Sequence, residues 1–180
     1  MKTLECRGIT LSDKQTKICV PITGTDLEEI KEQAEKIANM NPDVVEWRAD
    51  FYDVKDNDET EFEQCLKAIN DNLKKIPIIY TYRTLNEGGE KSIDVDDYCR
   101  LCKYVSEISE KYNVAMIDVE LYENKDRKDN GNGLLEIKIT GDMVIGSNHH
   151  FEGTPSEKDI FNVLKTMEEA GADICKIAVM

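Results

Sequence analysis

The chain has 180 residues, 40% of them hydrophobic and 33% charged, with a formal net charge of −14. That size and composition fit one globular domain with a sizeable core and exclude a disordered chain. The acidic balance argues against nucleic acid or an anionic bilayer as partner, since both select clustered Lys and Arg.

An anionic small molecule stays compatible with locally placed basic residues. The opening MKTLECRGITLSDKQ lacks the apolar core of a signal peptide, and no apolar run approaches the ~18 residues of a membrane span, so the sequence reads as cytoplasmic with no membrane partner. Six cysteines are scattered at 6, 19, 65, 99, 102 and 175, without the dense spacing of a secreted disulfide scaffold, and reduced thiols are expected.

In chain order, residues 1–16 read as a hairpin, LECRGITL and TKICV flanking the turn SDKQ. KICVPIT is the first of six short apolar runs suited to buried parallel strands. TDLEEIKEQAEKIANM follows as a helix, with Thr25 and Glu28 at capping-box spacing. DVVEWRADF is the second strand, and DNDETEFE is a solvated helix start leading into FEQCLKAINDNL, where Phe62, Leu66, Ile69 and Leu73 share a face.

After the strand IPIIYTYR, a helix from Val95 to Tyr112 buries Tyr98, Leu101, Val105, Ile108 and Tyr112. Cys99 and Cys102 form a C-x-x-C on that helix; no second pair supplies two further zinc ligands, so packing is the expected role and no metal is assigned. VAMIDVEL is the fourth strand. Residues 122–142 read as a polar loop with one short helix around Leu134 to Ile137. The strand MVIGSNHHF then leads to TPSEKDIFNVLKTMEEAG, a helix capped at Thr154 with Pro155 and Glu157 behind it and stopped at Gly171. The last strand is DICKIAVM.

Strand and helix thus alternate six times, which implies a parallel sheet with helices outside. A closed (β/α)8 TIM barrel needs eight units and usually ~250 residues. The expected fold is therefore a single barrel-type domain over 1–180 with about six of eight units, closing in GADICKIAVM, two units short of closure.

Alternation places the polar residues on the inner face of such a barrel. Val44, Glu46, Arg48 and Asp50 share one face of their strand; Ile79, Thr81 and Arg83 share one of the next, followed by Glu87 and a Gly-Gly turn. Asp118 pairs with Glu120, Ile145 with Ser147 and His149, and Ile174 with Lys176 and Ala178, while His150 faces away. Charges on a buried face are costly unless they pair or bind ligand. A buried ion-pair network would explain Glu46 and Arg48 alone, but titratable groups converging from five strands point to catalysis. A lysine desolvated near Arg48 and Arg83 should have a depressed pKa and could attack a ketone to form an imine. The imine acidifies the adjacent carbon, and His149, oriented by Glu87 or Glu120, can serve as the base.

VVEWRAD, YTYRTLNEGGE, SNHHFEGTP and GADICKIAVM, in that order, resemble the class I 3-dehydroquinate dehydratases (type I dehydroquinases), and the resemblance covers all 180 residues. It implies a (β/α)8 barrel, usually a homodimer, that dehydrates 3-dehydroquinate to 3-dehydroshikimate in the shikimate pathway with neither metal nor redox cofactor. Carried over by residue, Lys176 is the Schiff-base lysine, His149 the acid/base residue and Glu87 its partner. Glu46, Arg48 and Arg83 contact substrate hydroxyls and position the ring. His150 departs from the Asp that usually follows the histidine in that family. The family's strands seven and eight, a carboxylate-binding Arg and a lid with Ser and Gln contacts find no counterpart here. The alternative expectation is a truncated, non-catalytic barrel fragment that covers its open strand edges by self-association or by binding a partner.

Overall fold

The computed structural model describes residues 3–54, 58–121 and 143–180. Arg7 and Gly8 both adopt positive φ, 43° and 84°, and this left-handed pair folds Leu4–Cys6 (β1) antiparallel onto Ile9–Leu11 (β2). The hairpin therefore lies inside LECRGITL, one turn earlier than the sequence suggested. A further turn at SDKQ is closed by a bridge between Ser12 and Gln15, and TKICV instead opens the first parallel strand, Cys19–Ile22 (β3).

Five more strands follow in parallel: Val44–Arg48 (β4), Ile78–Thr81 (β5), Val114–Glu120 (β6), Met143–His150 (β7) and Ile174–Val179 (β8). Their order in the sheet is their order in the chain, with β3 and β8 at the edges. The sheet curls into a half-barrel, so that the Cys19 thiol on the first strand feels the charge of Lys176 on the last.

The described helices are Leu27–Ala38 (α1), Glu59–Leu73 (α2), Val95–Ile108 (α3) and Glu157–Glu169 (α4). Two starts differ from the sequence reading. On α1 the cap is Asp26, which accepts from the amides of Glu28 and Glu29, while the Glu29 carboxylate reaches back to the amide and hydroxyl of Thr25. On α4 the cap is Ser156, accepting from the amide of Asp159; Gly171, at φ 93°, ends the helix as expected. Asp58 caps α2 and Asp94 caps α3, where Cys99 and Cys102 are both buried. The short helix expected around Leu134 to Ile137 lies outside the described residues.

Alternation separates two apolar clusters. The outward side chains Ile22, Val45, Trp47, Ile78, Tyr80, Ile117, Val119 and Val144 pack beneath the helices, where Tyr80, Trp47, Phe62, Tyr82 and Tyr98 form, in that order, a chain of rings with centroids 5.7–6.5 Å apart. The inward side chains at the N-terminal ends of the strands, Val44, Met116 and Ile145 with Ile79 and Ile174, pack instead on Ile9, Cys6 and Leu11 of the hairpin. Cys6 donates its thiol proton to the Ala115 carbonyl at 2.9 Å, and Arg7 donates to the Val114 carbonyl at 2.7 Å. The hairpin thus plugs one end of the half-barrel, and the polar groups of the interior gather toward the other end, where the strands finish.

Candidate functional site

The register of the sheet fixes which inward residues meet. Arg48 is level with Thr81 and Thr81 with Asp118, while Glu120 is level with Ser147 and Ser147 with Lys176. His149 lies one inward position beyond Ser147, beside Ala178. The six residues singled out from sequence, Glu46, Arg48, Arg83, Glu87, His149 and Lys176, all come to this end of the interior.

At the floor of the site Arg83, 4% exposed, sits among carboxylates. It donates to Asp118 at 2.9 Å, to Glu120 at 3.0 Å and to the Ser147 hydroxyl at 2.9 Å. Burial alone would lower the pKa of this guanidinium, but the adjacent Asp118 and Glu120 charges outweigh it and hold it above its ordinary value. Glu120 also accepts from the amide and hydroxyl of Thr84, each at 2.8 Å, and burial raises its pKa against those bonds and against Arg83. Glu120 is therefore committed to the floor, and of the two carboxylates that sequence offered for orienting His149, the structure selects Glu87.

Glu87 stands in a one-turn helix, Leu85–Glu87, that turns sharply through Gly88 and Gly89. One of its carboxylate oxygens lies 3.0 Å from Nδ1 of His149 and accepts from the His149 amide at 2.6 Å. Gly88 is required by its backbone, at φ 81°, and Gly89 by contact. A Cβ on Gly88 would meet the Phe151 ring at 2.2 Å, and one on Gly89 would meet the Arg83 carbonyl at 1.9 Å. Phe151 in turn stacks on the His149 imidazole, with centroids 6.3 Å apart. A cavity of about 270 Å³ opens here, with Thr84, Glu87, Glu120 and His149 in its wall.

On the other side Arg48 grips Asp50 through two bonds of 2.8 and 2.7 Å and lies over the Phe51 ring at 4.9 Å. Asp50 belongs not to the strand, as alternation suggested, but to a one-turn helix, Ala49–Phe51; it is fully buried and also accepts from the amides of Arg83 and Glu90. Hydrogen bonding to Asp50 raises the Arg48 pKa. Glu46 accepts from the Thr81 hydroxyl at 2.8 Å. The Cys19 thiol is pushed up to about 11 by partial desolvation and by Glu46, so it stays protonated at neutral pH.

Lys176 Nζ lies 3.3 Å from Asp118, not against Arg48 or Arg83, as the sequence had led us to expect. Its side chain is 41% exposed, open to an incoming molecule, whereas Asp118 is 2% exposed. Sequence reasoning placed Asp118, Ser147 and Thr81 on the inner face without giving them a task. The alternation that located Lys176 marks them equally; their bonds to one another are visible only in three dimensions. His150, expected on the opposite face, borders the same cavity as His149, and among the described residues its Nε2 is buried without a hydrogen-bond partner.

Known proteins resemble this chain in sequence and in fold. The family model described as Type I 3-dehydroquinase matches residues 18–180. A 3-dehydroquinate dehydratase of Bacillus licheniformis is 40% identical over 99% of this chain and 68% of its own length. One of Clostridium novyi is 36% identical over the whole chain and 69% of its own length. The crystal structure of a type I 3-dehydroquinate dehydratase of Clostridium difficile superposes with a TM-score of 0.85 at 34% identity, across 99% of this chain and 69% of that one. The chain thus spans a little over two thirds of these relatives. On the strength of that agreement in sequence and in fold, the chain belongs to the type I 3-dehydroquinases, shikimate-pathway hydro-lyases that dehydrate 3-dehydroquinate through a lysine Schiff base.

Proposed function

We propose that Lys176, His149 and Glu87 carry out this dehydration. The amine of Lys176 adds to the substrate ketone; a C–N bond forms, the carbonyl oxygen leaves as water, and the nitrogen keeps one proton and a positive charge. That cation draws electrons from the adjacent carbon, whose proton passes to His149. The electron pair left behind expels the neighbouring hydroxyl, which leaves as water after taking a proton from His149. Hydrolysis then returns the amine, so that one water is lost overall. Glu87 fixes Nδ1 of the ring, which turns Nε2 toward the proton to be moved. Glu46, Arg48 and Arg83 would meet the substrate hydroxyls and position its ring, with Arg83 acting from the floor.

The observation that carries this reading is the pairing of a half-exposed lysine on β8 with a carboxylate-oriented imidazole on the neighbouring β7, both directed into one interior. Intact-mass measurement after incubation with 3-dehydroquinate and borohydride, with peptide mapping, tests it. An adduct on Lys176 that vanishes in Lys176→Ala is expected, and trapping that survives that substitution at full yield overturns it. A cytoplasmic homodimer, as the resemblance implies, belongs to the same proposal. Light scattering on the purified chain should return twice the mass of 20.5 kDa.

A further inference from the structure

We propose that Asp118 is the fixed counter-ion of the protonated imine formed on Lys176, an inference that rests on Lys176 being the imine-forming residue. The Asp118 oxygen Oδ2 lies 3.3 Å from Nζ, while Oδ1 accepts from Arg83 at 2.9 Å and from the Ser147 hydroxyl at 2.5 Å. Held on one oxygen by two donors, the carboxylate cannot turn from the lysine. The other acidic groups nearby are engaged elsewhere: Glu120 with Arg83 and Thr84, Glu46 with Thr81, and Asp50 with Arg48. From behind, Tyr98 and Cys102 of α3 also feel the Asp118 charge, and across the interior Cys19 feels Lys176, but both thiols and the phenol are held protonated.

The consequence is chemical. The neutral amine attacks, and once water has left, the proton on the imine nitrogen faces the same Oδ2 that held the ammonium. A negative charge at that distance favours the protonated imine over the neutral one, and only the protonated imine withdraws electrons strongly enough to release the neighbouring proton. The ties to Arg83 and Ser147 keep this charge in place without reorganisation when the imine forms.

Cyanoborohydride tests this without turnover, because it delivers hydride to the protonated imine and leaves a secondary amine. With 3-dehydroquinate as probe, the yield of Lys176 adduct should fall at alkaline pH as the imine loses its proton. In Asp118→Asn that fall should move to lower pH by about one to three units, the effect of an opposite charge at ~4–6 Å. A structural role alone would lower the yield at every pH and leave the position of the fall unchanged, and that result overturns the proposal. Should the variant not fold, the unaltered chain decides: its alkaline fall must lie at higher pH than that of the imine formed by butylamine with the same ketone, and coincidence of the two overturns the proposal. Absence of any Lys176 adduct in the unaltered chain refutes the parent reading of Lys176 instead, and this inference with it.

Discussion

At the scale of single residues, the inner and outer faces of one strand make opposite demands. Inside the half-barrel, the proposed mechanism has Glu87 act on the reaction through His149. Glu87→Gln keeps the size of the side chain but removes the charge that stabilises the imidazolium. We expect exchange of the substrate proton with solvent deuterium, followed by NMR, to slow by about 10²-fold, at the lower end of what general acid–base groups contribute, while trapping on Lys176 persists. Gly89→Ala should slow the same exchange, because its Cβ would lie 1.9 Å from the Arg83 carbonyl and push the turn that carries Glu87. On the outer face, Tyr80 is fully buried and, among the described residues, its hydroxyl has no partner. Tyr80→Phe removes an unsatisfied polar group without changing the ring, and we expect it to raise the urea unfolding free energy by about 1 kcal/mol. Alternation alone assigned Glu46, Arg48, Arg83, His149 and Lys176 to the inner face, because a period of two needs no partner to be read. What stayed hidden were the pairings. Nothing in the sequence says that Lys176 meets Asp118 and not an arginine, since that depends on register across strands far apart in the chain.

At the scale of elements, helix identity was legible and helix boundaries were not. Apolar spacing found α1 through α4, because the buried stripe is set by the sheet that each helix covers. Thr25 and Thr154 were mistaken for caps because a neighbouring Asp26 or Ser156 offers the same chemistry one or two residues later, and backbone geometry chooses between them. Between elements, α2 and α3 are tied by Glu63, whose carboxylate accepts from Lys111, Tyr112 and Tyr104, each at 2.7 Å. Those bonds lower its pKa from 4.5 to about 2. A depressed carboxylate stabilises the fold above its unfolded pKa and loses that contribution as pH falls through the folded value. Glu63→Gln should therefore cost about 1 kcal/mol at pH 7, after allowing for solvent screening of a partly exposed group, and progressively less between about pH 4.5 and 2. Urea titrations of both proteins across that range check the sign; a cost that stays constant with pH contradicts it.

At the scale of the whole molecule, six βα repeats announced a barrel-type sheet, and the structure delivers its half-barrel with strands in sequential order. The role of the hairpin was not legible, because a two-stranded ribbon of three-residue strands carries no sign of what it will cover. Ile9, 4% exposed, is the buried centre of that contact. Ile9→Ala should lower stability by about 2–4 kcal/mol, within the range for buried aliphatic truncations, and thermal denaturation will show it as a fall in Tm. The hairpin and the helices bury separate apolar clusters, so the folding of the molecule is secured on the back of the sheet and at its sealed end. The open end is left to groups that contribute to folding only weakly, since buried ion pairs are often replaceable by apolar residues at no loss of stability. Evolution can therefore rework the mouth of the half-barrel residue by residue, trading one substrate for another, while the architecture behind it persists unaltered.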